Sequence, residues 1–196
     1  MPKETFNNLS KDKKQKIFIA AVQEFSTRRF SEVSINQIVK TAGIPRGSFY
    51  QYFNDKEDIF LYVFTEILKE KQEILHSTED VNPDADVFEV LMQTIRASYQ
   101  WSRAKPEYSQ ISLLMEIDNS EFIIRLRTAS ANELRKMVER DKQRGLIKPE
   151  IDPDLVVEMI YSFIIKEYFW IGLGEDMFLK RINDIIKIIK EGIACV

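Results

Sequence analysis

Apolar residues recur three and four positions apart along nearly the whole chain, and this periodicity restricts the fold to packed helices. Behind Ser10, a suitable N-cap, come Ile17, Ala21 and Phe25 on one stripe. Ser34-Ile35-Asn36-Gln37 has capping-box spacing, so a helix should start there, bury Ile35, Ile38, Val39 and Ala42, and stop at Gly43. Pro45 fits the first position of the next helix, because proline presets φ and lacks an N–H that would be orphaned there. Asn54-Asp55-Lys56-Glu57 reads as a second capping box, which keeps that helix short and opens a fourth running to about Leu75. His76 to Pro83 is polar and aperiodic, as in a loop. Asn82-Pro83-Asp84 then opens a helix carrying Val87, Leu91, Ile95 and Trp101, which Pro106 ends. Further helices are predicted over 107–117, 119–144, 153–171 and 175–192, with Gly145 closing the second and Asp152-Pro153-Asp154 opening the third. Alternating runs bounded by Asn-Gly or Asp-Gly turns are absent. The expected fold is all-α, with about nine helices.

Composition narrows the chemistry. In 196 residues there is one cysteine, Cys195, and one histidine, His76. A disulfide framework, a Cys-rich zinc site and a multi-histidine metal centre are therefore not expected, and the cysteine usage suits a reducing, cytoplasmic compartment. No apolar run approaches the roughly 20 residues that span a bilayer, and the N-terminus has no signal-peptide pattern. No G-x-S-x-G, P-loop, dinucleotide fingerprint or H-E-x-x-H occurs, so neither catalytic residues nor a cofactor are called for. Taken whole, the net charge of −3 argues against a nucleic-acid partner, yet the average hides a split. Residues 1–56 carry a net +5 and residues 57–196 a net −8, so one end of the molecule is suited to a polyanion.

Two short helices joined at Gly43 and following a longer one have the spacing of a helix-turn-helix. Ile38, Ala42, Ile44, Phe49 and Phe53 can hold the pair at a fixed angle. The exposed side of the second helix then offers Arg46, Gly47, Ser48, Tyr50, Gln51 and Tyr52. Arginine bonds guanine edges or phosphates, glutamine bonds adenine, and tyrosine hydroxyls reach phosphates. Ser34 and Lys56 stand at helix starts, where free N–H groups hold a phosphate. Ser34 and Asn54 can equally be plain caps worth about 1 kcal/mol each.

Residues 34–57, SINQIVKTAGIPRGSFYQYFNDKE, resemble the DNA-binding signature of TetR-family transcription regulators. Ser34, Ile38-Val39, Ala42-Gly43-Ile44, Arg46-Gly47, Tyr50, Phe53 and Lys56-Glu57 fall in that order, and the likeness extends weakly over residues 10–65. The sequence departs from the pattern at Arg29, where glycine is frequent, and at Gln51-Tyr52, where a Tyr-His pair is common. The resemblance implies DNA contacts by Ser34, Arg46, Gly47, Ser48, Tyr50, Gln51, Tyr52 and Lys56. It also implies a division into a head, residues 1–56, and a ligand-binding and dimerisation body, residues 57–196, connected through helix 55–75.

The body supports that division. Helix 153–171 is apolar on almost every face, and the last helix, 175–192, carries Phe178, Ile182, Ile185, Ile186 and Ile189 as a stripe, with Ile188 off its edge. Two such helices from each of two subunits make a four-helix bundle, and a twofold homodimer places recognition helices about 34–36 Å apart on a palindromic operator. Phe88, Met92, Trp101, Tyr108, Met115, Phe122, Tyr161 and Phe169 are candidate walls of a pocket for a small, largely apolar effector, with Arg96, Glu116 and Arg125 as polar anchors if they point inward. The function expected is a ligand-responsive repressor. The alternative is a DNA-bound interaction protein whose body recruits a protein partner and binds no small molecule.

Overall fold

The computed structural model describes residues 2–78, 82, 84–166 and 174–193. Among them there are ten α-helices, one 3-10 turn and no strand. The helices are α1 (Glu4–Asn7), α2 (Lys11–Phe25), α3 (Ile35–Ala42), α4 (Arg46–Tyr52), α5 (Lys56–Thr78), α6 (Val87–Ala104), α7 (Pro106–Ile117), α8 (Glu121–Gln143), α9 (Pro153–Ile165) and α10 (Glu175–Ile193), and the 3-10 turn is Phe30–Glu32. The all-α expectation holds. The two elements absent from the sequence reading, α1 and the 3-10 turn, are too short to show a period.

The caps explain most boundaries. Ser10 accepts from the Lys13 N–H at 3.4 Å and starts α2. Asp152 accepts from the Asp154 N–H at 2.9 Å and starts α9 with Pro153 at its first position. Gly43 closes α3 at φ 66°, where an L side chain would be strained. Its N–H donates to Lys40 O and that of Ile44 to Val39 O, the paired bonds of a left-handed helix stop. Four expected caps shift. Ser34 holds the N-cap position of α3, but its side chain makes no capping bond. Pro45 is itself the N-cap of α4, one residue earlier than expected. Asp55, not Asn54, caps α5: its carboxylate accepts from the Asp58 N–H at 2.9 Å, while the Asp58 carboxylate accepts from the Asn54 N–H at 3.0 Å. Asp86 replaces Asn82 at the start of α6, accepting from the N–H groups of Phe88 and Glu89 at 2.9 Å each.

The chain divides into two compact units, Met1–His76 with Trp101–Leu126, and Ser77–Gln100 with Arg127–Val196. The first is built on Ile17, Phe25, Ile38, Phe49, Phe53, Ile59 and Ile123, with α2 packed on α3. Phe6 of α1 plugs this core at 5.0 Å from the Phe53 ring and 4.9 Å from Tyr62. The second unit is built on Val87, Ile95, Val138, Ile147, Ile160, Phe178 and Ile182. Its polar pivot is Asp141, fully buried on α8, which accepts from the Val87 N–H at 2.6 Å and from Arg140 at 2.9 Å and Arg144 at 3.1 Å. A buried carboxylate is tolerable only with such partners.

Candidate nucleic-acid interface

The recognition helix α4 is seven residues long, and its position is fixed from both ends. Phe49, Tyr52 and the following Phe53 face the core, being 0%, 5% and 0% exposed. At its C-terminal end the last carbonyls, which a helix leaves orphaned, are taken by the N-terminal arm. Lys3 Nζ donates to Tyr50 O at 2.9 Å, the Lys3 N–H to Tyr52 O at 2.8 Å, and the Thr5 hydroxyl to Gln51 O. Sequence reasoning missed this clamp, because backbone acceptors leave no mark in the sequence.

What remains exposed is one face carrying Arg46, Gly47, Tyr50 and Gln51, with Ser48 at its half-buried edge. The Arg46 guanidinium has no ion-pair partner among the described residues, and a Cβ added at Gly47 would meet nothing within 4 Å. Tyr50 lies open, its ring against that of Phe49 at 5.2 Å. Ser34 is exposed beside a groove lined by Glu24, Arg28, Glu32, Asn36, Gln37 and Lys40, where Arg28 pairs with Glu24 at 3.5 Å.

Two of the expected contact residues are placed differently. Tyr52, expected on the exposed side, is buried against Phe6, with Lys13 over its ring at 5.5 Å. Lys56 does not extend outward. Its ammonium donates to Phe30 O at 2.6 Å and to Ser31 O and Val33 O at 3.3 Å each, and sits 4.5 Å from the Phe30 ring. Burial lowers its pKa, partly offset by the charge of Asp118. Asp118, between α7 and α8, completes the tie: its carboxylate accepts from the Ser31 N–H at 2.8 Å and the Ser31 hydroxyl at 2.9 Å. Burial alone would raise its pKa, but hydrogen bonds from Ser120 and Ser31 overcome that and hold it at about 2.

This geometry is a basic head with an open recognition helix, and residues 17–63 match the family described as bacterial regulatory proteins, tetR family. Over these residues the chain carries a DNA-binding head of the TetR-family type. It is similar to the HTH-type transcriptional regulator YdgC of Bacillus subtilis, 24% identical over 155 residues, 78% of this chain and 77% of that one. The crystal structure of a TetR family transcriptional regulator from Chloroflexus aurantiacus superposes with a TM-score of 0.72 at 27% identity, covering all of both chains. The transcriptional regulator FadR from Bacillus subtilis, in complex with stearoyl-CoA, shares the fold with a TM-score of 0.67 at 23% identity, over 91% of this chain and 98% of that one. With this head, the protein is a DNA-binding transcriptional regulator.

The expected pocket residues fall in both compact units. Trp101 and Tyr108 meet, their ring centroids 5.7 Å apart. Met115 and Phe122 lie in the core of the first unit, Phe122 against Phe30 at 4.7 Å and Phe60 at 5.8 Å. Phe88 is buried in the second unit, with Met92 packed against that core. Tyr161 is 37% exposed on α9, and Phe169 lies outside the described residues. Arg96 and Arg125 do not point inward: both are exposed, and Arg125 pairs with Glu121 at 2.6 Å. Glu116 is half-buried. Among the described residues no helix is long and apolar enough to cross a membrane, and no three His, Cys, Asp or Glu side chains cluster as metal ligands.

Proposed function

We propose that the protein is a ligand-responsive repressor that binds a palindromic operator as a homodimer and is released by a small, largely apolar effector. The observation that carries the DNA-binding part is the open face of α4, where the side chains of Arg46, Tyr50 and Gln51 and the backbone of Gly47 are exposed. In this reading Arg46 and Gln51 meet base edges or phosphates, Tyr50, Ser48 and Ser34 meet phosphates, and Gly47 lets the backbone approach. Tyr52 and Lys56 act from behind, holding the helix ends. The site of action is the cytoplasm, where the operator is.

Support for a homodimer comes from α9 and α10. Leu155, Met159 and Tyr161 on α9 are 55%, 39% and 37% exposed, and Met177 and Ile188 on α10 are 52% and 70% exposed. Residues 177 and 188 are eleven apart, about three helical turns, and so share one face. Apolar side chains at this exposure suit a second copy of the chain. An effector in the body would act through α5, whose first turn is tied through Lys56 to the 3-10 turn before α3. It must bind the released state more tightly than the DNA-bound one, since only differential affinity moves the equilibrium. FadR, of the same fold, is seen with stearoyl-CoA, which supports a ligand with a long apolar part.

The direct test is operator binding by Arg46→Ala and Tyr50→Ala. Each is expected to weaken affinity by about tenfold or more, or about 1.4 kcal/mol. Unchanged affinity in both would sink the docking face. A second reading, in which the body recruits a protein and takes no small molecule, is favoured by the burial of Phe88, Met115 and Phe122 as close-packed core. No thermal shift across a broad panel of metabolites and drugs would select it.

A further inference from the structure

The last four carbonyls of α4 are satisfied one after another, three of them from outside the helix. The Phe53 N–H donates to Phe49 O at 2.9 Å. The carbonyls of Tyr50, Gln51 and Tyr52 then accept from the Lys3 ammonium, the Thr5 hydroxyl and the Lys3 N–H. Tyr50 and Gln51 are also the residues whose side chains lie on the open face, so the arm grips the backbone of the outward-facing residues themselves. The arm is in turn anchored on two other helices. Phe6, 2% exposed, sets its ring against Tyr52, Phe53 and, on α5, Tyr62. Asn7 O accepts from Lys14 Nζ of α2 at 2.8 Å. The apolar packing of Phe49, Tyr52 and Phe53 is non-directional, whereas the bonds from the arm fix an angle.

We propose that Lys3 and Thr5 are positioning residues for base readout: without touching DNA, they set the tilt at which α4 presents Tyr50 and Gln51. A helix of seven residues does not hold its own shape in water, so bonds from outside decide its attitude. It spans about 10 Å, and a tilt of about 10° at the Gly43 end moves its far end by about 2 Å. A hydrogen bond to a base edge weakens steeply outside roughly 2.7–3.2 Å. The attraction of a cation for a phosphate falls only as the inverse of distance. Loosening the arm therefore costs sequence discrimination more than general affinity for DNA. This assignment rests on α4 being the helix that docks on DNA.

The test uses the whole chain and two duplexes of equal length and composition, one that wild type enriches from a random-sequence pool and a scrambled version of it. The double variant Lys3→Met, Thr5→Val should bind the enriched duplex about tenfold more weakly and the scrambled one less than about twofold more weakly, with salt dependence as steep as wild type's. Thr5→Val alone deletes one hydroxyl from an exposed side chain, so the chain still folds, and it should lose about threefold in discrimination. Thr5→Ser keeps the donor and should lose none. Equal losses on both duplexes, with a salt slope lower by about 0.9 per lost contact, would make Lys3 a phosphate ligand and overturn the positioning role. Undiminished discrimination in both valine variants overturns it, as does a Thr5→Ser loss equal to that of Thr5→Val. Arg46→Ala and Tyr50→Ala in the same assay separate the two ideas. Losses in these with none in the arm variants refute the arm and keep the docking face. No loss in these refutes the docking face, and the positioning role with it.

Discussion

At Gly47 the fold asks for nothing that alanine would not supply. Its backbone is not in the left-handed region, and a Cβ there would project into open space. Alanine also favours a helix by up to about 1 kcal/mol over glycine. Gly47→Ala should therefore leave thermal stability unchanged or raised, while operator affinity falls by about tenfold as the added methyl holds the backbone off the DNA. Equal operator affinity would mean the glycine is incidental. Neighbouring residues show how far the sequence could be read at this scale. Tyr50 and Tyr52 are two apart, about 200° around a helix, so they cannot share a face. The period that groups Phe49 with Tyr52 and Phe53 was enough to place Tyr52 inside. For Lys56 no such signal existed, since its acceptors are backbone oxygens more than twenty residues upstream.

The elements most legible in the sequence were those whose start is a side chain bonding its own next turn, as with Ser10 and Asp152. Elements held by distant partners were not, and the Phe30–Glu32 turn is the clearest case. It is tied on one side by Lys56 and on the other by Asp118, 87 residues downstream of Ser31. That tie is testable through pH. Asp118 is 1% exposed, and its pKa is held at about 2 against an ordinary 3.8. Between those values the folded state keeps the carboxylate ionised while the unfolded chain takes up a proton. The stabilisation is therefore fully present above the ordinary value and is lost as pH falls toward the lower one. Asp118→Asn should be less stable at neutral pH by about 2 kcal/mol, the scale of hydrogen bonds to a charged group. Its stability should also fall less steeply than that of wild type between about pH 4 and pH 2. Parallel acid profiles for the two proteins would show that the carboxylate is not what secures the turn.

For the molecule as a whole, the division of charge sets how DNA binding responds to salt. A net +5 over residues 1–56 against −8 over residues 57–196 directs phosphate contact to the head. Each neutralised phosphate releases condensed counter-ions, so the logarithm of affinity falls linearly with the logarithm of salt, with slope about −0.9 per contact. A homodimer on a palindrome places two heads on one duplex, and its slope counts the contacts of both. A monomer counts those of one. Ile188 allows this difference to be measured, because it is 70% exposed and contributes nothing to the core of its own chain. Ile188→Glu should keep the helical signal and melting behaviour of the folded chain, yet place a charge in the apolar face proposed to join two copies, where desolvation without a partner is costly. The variant should run as a monomer in light scattering. Its salt slope on the operator should be roughly half that of wild type, as only one head's phosphates are neutralised. A variant that stays dimeric with an unchanged slope would remove this face of α10 from the subunit contact. A variant that becomes monomeric but keeps the full slope would show that one head already accounts for every phosphate contact.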